Sequence, residues 1–156
     1  MKDVKTLLQT AYFTLLNGNV VIPKETWPAP MRPATDYTVP VYDKVPSNAT
    51  YPYIGFQEFT EIDDSDKSSF GSDETFTLEI VDRYENTWTK VPRNFVCNRV
   101  KEIIRARPVP FNITGFNVIN SIVDSENTNT QATDTHTYLL SIIRFRHLVE
   151  ELNPTG

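Results

Sequence analysis

One cysteine, Cys97, stands among 156 residues. A lone thiol closes no disulfide within the chain and cannot supply a cysteine-based zinc site. Glycine is scarce at five residues, and none falls into a G-x-S-x-G, G-x-G-x-x-G or P-loop pattern; H-E-x-x-H is missing as well. Positive support for catalysis is therefore lacking. No run of about 18 apolar residues occurs, so no transmembrane helix and no membrane partner are expected. The opening "MKDVKTLLQTAYFTLLNG" is interrupted by Asp3, Lys5, Gln9 and Thr10, which argues against a signal peptide and for synthesis in the cytosol. Cationic excess is also absent. With 15 Lys and Arg against 20 Asp and Glu the net charge is −5, which disfavours a dedicated nucleic-acid binder, since such domains gain affinity by neutralising phosphates.

What is present is apolar and aromatic. The chain is 39% hydrophobic and 12% aromatic and carries 11 prolines, the composition of a folded domain rich in strands and extended loops. Its length suits one domain spanning residues 1–156. Between residues 3 and 17 Val4, Leu7, Leu8, Ala11 and Leu15 recur at helical spacing, with Asp3 placed to cap and Asn17-Gly18 to stop. Phe13 lies off that stripe, which suggests a second packing partner. Seven prolines between Pro23 and Pro52 exclude a long helix there. Short strands are expected at 20–22 and 39–42, then longer ones at 51–62 and around Phe76, Leu78 and Ile80. A second helix is expected over 91–107, with Val96, Cys97, Val100, Ile103 and Ile104 on its apolar side, Phe95 off it, and "RARPVP" ending it. Two final strands, "GFNVINSIVDSE" and "THTYLLSIIRFRHLVEEL", are joined by "NTNTQATD", read as a turn. The last of them is apolar at both parities and calls for cover on both faces. This order predicts an α+β fold: an antiparallel sheet, two helices on one face, and an extended hairpin near the C-terminus.

The acidic turn after the Tyr51 strand invites a metal site, but its spacing fails. Counting an EF-hand loop from Asp63 puts Glu74 at position 12, yet Lys67 falls at 5 and Ser68 at 6, where an oxygen ligand and glycine are required. Acid–base catalysis by Asp63, Asp64 or Asp66 would need one carboxyl in an apolar pocket, which a Ser/Asp-rich turn does not offer. His136 and His147 are eleven residues apart on one strand and would face opposite sides, which suits a polar surface or a local hydrogen bond better than a shared metal. Neither a catalytic residue, a metal nor a cofactor is expected. The second helix is basic at Arg93, Arg99, Lys101, Arg105 and Arg107, complementing the acidic turn. Copies standing side by side could pair the two, closing a head-to-tail ring. The candidate subunit contacts are Phe13, Asp63, Asp64, Asp66, Lys67, Phe95, Arg99 and Arg105.

One further pattern concerns order. Val41, Tyr42, Asp43, then Pro46, then Tyr51, Pro52, Tyr53 and Ile54, then Asp64, Ser65 and Lys67, resembles the tail-completion, or tail-terminator, family of tailed bacteriophages over most of the chain. The resemblance implies a non-catalytic ring subunit, usually a hexamer, in the virion at the head–tail junction. It implies assembly in the bacterial cytoplasm, contact with portal, connector or tail proteins, and DNA only as passing cargo. The acidic turn would then lie at a subunit boundary or at the lumen. The proline-rich segment 27–33 and the long C-terminal hairpin depart from the pattern, and a ring subunit in the neck of a short-tailed phage would look similar. From another class, a small adaptor binding a ligand or peptide on its sheet fits the composition, as less readily does a hydrolase.

Overall fold

The structure, a computed structural model, describes residues 3–63 and 70–152, with the backbone alone described for 58–63 and 70. Its elements in order are α1 (Val4–Leu16), β1 (Val21–Ile22), two short 3₁₀ turns, β2 (Tyr37–Thr38), β3 (Val41–Tyr42), β4 (Tyr53–Asp63), β5 (Phe70–Tyr84), α2 (Val91–Ile104), β6 (Phe116–Ala132) and β7 (Thr137–Glu151). The main sheet runs β3-β4-β5-β7-β6 and is antiparallel except where β3 joins β4 in parallel; β1 and β2 form a separate two-stranded ribbon. The fold is α+β, as expected.

Local chemistry sets the helix ends. Asp3 caps α1 by accepting from the Thr6 amide at 3.3 Å and the Thr6 hydroxyl at 2.8 Å, which also holds its carboxyl below the ordinary range. At the other end Gly18 takes φ +79°, a conformation that glycine adopts without strain. In α2, Pro92 occupies the first turn, where its missing N–H costs nothing.

Both helices lie on one face of the sheet. Cross-strand pairs Phe76–Phe145 and Leu78–Ile143 form its floor, Tyr12 of α1 stacks onto Phe76 with ring centres 4.1 Å apart, and α2 packs across β5 and β7. Buried residues from Val4 to Val149 join in one apolar cluster, and burying each large side chain contributes about 1.5–3 kcal/mol. The opposite face carries polar and charged side chains, among them an Arg146–Asp73 pair with Nε–Oδ distances of 2.8 and 2.9 Å.

Four expectations need correction. The buried stripe of α1 is Val4, Leu8, Tyr12 and Leu16, not the one containing Leu7, which is 41% exposed. The "NTNTQATD" stretch is mostly strand: β6 runs to Ala132 because each residue pairs with β7, itself held by β5, and only residues 133–136 turn. Strand β7 is covered on one face alone, with Ile142, Arg144 and Arg146 exposed on the other. Arg93 does not belong to a basic surface; it is buried at the start of α2, with Nη2 donating to Asn94 Oδ1 at 3.0 Å.

Candidate assembly interface

One polar constellation among the described residues is internal. His147 is fully buried, one ring nitrogen bonded to the Tyr12 hydroxyl and the other to Ser121 Oγ at 2.9 Å, with all three residues sealed from solvent. A neutral imidazole offers one donor and one acceptor, and two hydroxyls satisfy both. Burial lowers the His147 pKa to about 4 and raises that of Tyr12 well above its ordinary value. A histidine beside a serine can serve nucleophilic chemistry only where substrate can reach it. Here the trio ties α1, β6 and β7 together instead, so the local hydrogen bond expected of His147 is found and the polar surface is not. His136 sits separately at the hairpin turn, 3.7 Å from Glu85.

A second buried polar group is Asp82, whose pKa burial raises to about 6 against the opposing influence of Tyr84, the Arg83 amide and Arg93. Arg93, the smallest of these influences, is itself held by Asn94 Oδ1 and by the Leu140 carbonyl at 3.5 Å. Among the described residues no cluster of His, Cys, Asp or Glu has the arrangement to hold a metal ion.

Those expected contact residues whose side chains are described do not gather at one place. Phe13 is 41% exposed on α1 and borders a shallow hollow with Gln9, Thr10, Asp43 and Phe56. Phe95 is half-buried and packs on its own core. Arg99 on α2 and Arg105 at its C-cap are both exposed, and Arg99 pairs with Glu102 at 3.5 Å. Lys101 beside them is already engaged by Glu126 of β6 at 2.7 Å. The Asp63 backbone ends β4 opposite Ser72, and Asp64, Asp66 and Lys67 lie outside the described residues.

Two features were not anticipated. The outward face of α1 carries Leu7, Thr10, Phe13 and Thr14 with no charge after Lys5, and beside it runs a hollow of ≈ 280 Å³ between Leu7, Ala11, Leu15, Pro110 and Ile113. A helix face turned to water ordinarily carries charge, so this one is suited to cover. On the far side of the sheet, edge strand β6 exposes Ile119 (47%) and Ile122 (42%).

No protein-family model matches the chain, and no curated protein does. Among solved structures it is similar to a chain from the virion of a native gene transfer agent (GTA) particle, at a TM-score of 0.67 and 15% identity, covering 96% of this chain and 99% of that one. The two share a fold end to end. At that identity the likeness is one of fold.

Proposed function

We propose that the chain is a structural virion protein of a tailed phage or phage-like particle, acting as a ring subunit at the head–tail junction through which DNA passes. The observation that carries this reading is the fold shared over nearly the whole of both chains with a component of the gene transfer agent virion. Support comes also from the tail-terminator-like order of residues between Val41 and Lys67. The imidazole–hydroxyl trio of His147, Tyr12 and Ser121 is sealed inside the core. A negative net charge suits a conduit that DNA must traverse without adhering.

The reading is tested in particles. A tagged copy incorporated during assembly and labelled with gold should mark the neck, one cluster per particle. Label along the whole tail, or label absent from purified particles, would contradict it.

A further inference from the structure

We propose that subunits join edge to edge, with β6 of one copy lying antiparallel beside β4 of the next, so that the sheets of successive copies run together. The inference rests on the ring reading and names the surfaces that would build the ring.

The argument begins with which edges are open. In the order β3-β4-β5-β7-β6, β3 pairs with β4 only at Ile54 and Gly55. Beyond Gly55, among the described residues, no strand pairs with the outer side of β4, and none pairs with the outer side of β6. An open edge presents unpaired N–H and C=O groups that another strand can satisfy. The two edges also match in height. Phe56 pairs with Leu78, Leu78 with Ile143 and Ile143 with Glu126, while Asp63 leads through Ser72 and Val149 to Val118. Residues 56–63 of β4 and 118–126 of β6 thus lie at the same level on opposite sides of one sheet. Each neighbouring pair between them is antiparallel, so β6 runs opposite to β4, and a translated and rotated copy would offer its β6 to β4 in antiparallel sense.

This is a contact between two different surfaces of the same chain, the kind that closes into a ring when the rotation per copy divides the circle. A second copy is the partner favoured because both halves of the contact are present on every chain at matching height.

The side chains agree. Protected edges usually display lysine or proline, and β6 contains neither. Of its two acids, Glu126 is compensated within the chain by Lys101 at 2.7 Å. Ile119 and Ile122 stand exposed on this strand. At the β4 edge Phe56 borders the hollow with Phe13, so the uncharged face of α1 continues the surface that an incoming strand would cover.

The experiment uses the full chain. Thr60 and Ile122 lie at one height through Thr75 and Arg146. Thr60→Cys is combined in turn with Asn120→Cys, Ile122→Cys and Asp124→Cys, with Trp88→Cys as the control partner. Mild oxidation should give a ladder of covalently joined copies from at least one of the three and none from the control. Separately, Ile119→Lys with Ile122→Lys should weaken self-association about tenfold or more at unchanged circular dichroism. Absence of a ladder from a particle that does assemble overturns edge pairing, whatever the lysine variant does, and leaves the ring reading standing. A chain that stays monomeric alone and with its particle proteins overturns both.

Discussion

Tyr12 of α1 and His147 of β7, 135 residues apart in sequence, are hydrogen-bonded to each other in the centre of the core. The bond fixes the first helix to the last strand, and Ser121 extends it to the edge strand β6. Removing only the Tyr12 hydroxyl leaves a buried imidazole nitrogen without its partner. Tyr12→Phe should therefore cost about 1–3 kcal/mol, while Tyr12→Ala, which also deletes the ring packed on Phe76 and Phe111, should cost about 3–5 kcal/mol. Urea denaturation of the two variants checks the order; equal midpoints for Tyr12→Phe and wild type would mean that the bond contributes nothing net.

Two buried groups give opposite pH dependences. The folded-state pKa of His147 lies near 4, below its ordinary value of 6.5, so the unfolded chain takes up the proton first, and stability from this group falls as pH drops from about 6.5 towards 4. Asp82 lies near 6 when folded against an ordinary 3.8, so the folded chain holds the proton, and stability from this group rises as pH drops from about 6 towards 3.8. Each contribution is on the order of 3 kcal/mol over its window, and the two oppose each other. Relative to wild type, Asp82→Asn should become progressively less stable on acidification between pH 6 and 4, whereas His147→Gln should become progressively more stable relative to wild type as pH falls from about 6.5 towards 4. Difference curves that are flat for both variants would remove this balance.

Charge pairing between copies remains a proposal, now weighted differently along α2. Arg99 is paired with Glu102 and Lys101 with Glu126, whereas Arg105 at the helix end has no ion pair of its own among the described residues. Arg105→Glu should therefore disturb assembly more than Arg99→Glu, and Asp64→Lys with Asp66→Lys should weaken assembly in a way that Arg99→Glu with Arg105→Glu restores. Exposed pairs contribute about 0–1 kcal/mol each and are screened by salt. Light scattering at low and high salt reads the effect; indifference to salt and to every variant would leave apolar burial as the main force.

Hydrogen exchange offers a view of the edge. Strand β7 is paired on both sides, by β5 and β6, so its amides should exchange slowly in any state. Amides on the outer side of β6 should exchange fast in the isolated subunit and slow on assembly. The turn at 133–136 is closed by the Thr133 amide donating to the His136 carbonyl at 2.8 Å, so an isolated subunit should show local order there rather than a free tip. Equal exchange of β6 in free and assembled protein would contradict the edge contact.

Much of the fold is legible from the sequence, and the misreadings have physical causes. In α1 every residue after Lys5 is uncharged, so two overlapping stripes about 60° apart compete. Spacing alone favours Leu7, whereas the true stripe holds Tyr12, whose buried hydroxyl is hydrogen-bonded to His147. The burial of His147 had a signal: it falls on the same parity as Leu139, Ile143, Phe145 and Val149. The polar half of β6 had none, since what makes "NTNTQA" a strand is a neighbour already held in the sheet. The open edges are likewise invisible in the sequence, because strand order is a tertiary property.

The central claim is that this chain forms a closed ring, and mass decides it most directly. Sedimentation of the full chain, alone and mixed with the connector and tail proteins of its particle, should give one discrete species at a whole multiple of the 17.9 kDa subunit, unchanged on dilution over the range in which it is complete. A single 17.9 kDa species in every mixture, or an open series of sizes growing with concentration, would contradict it.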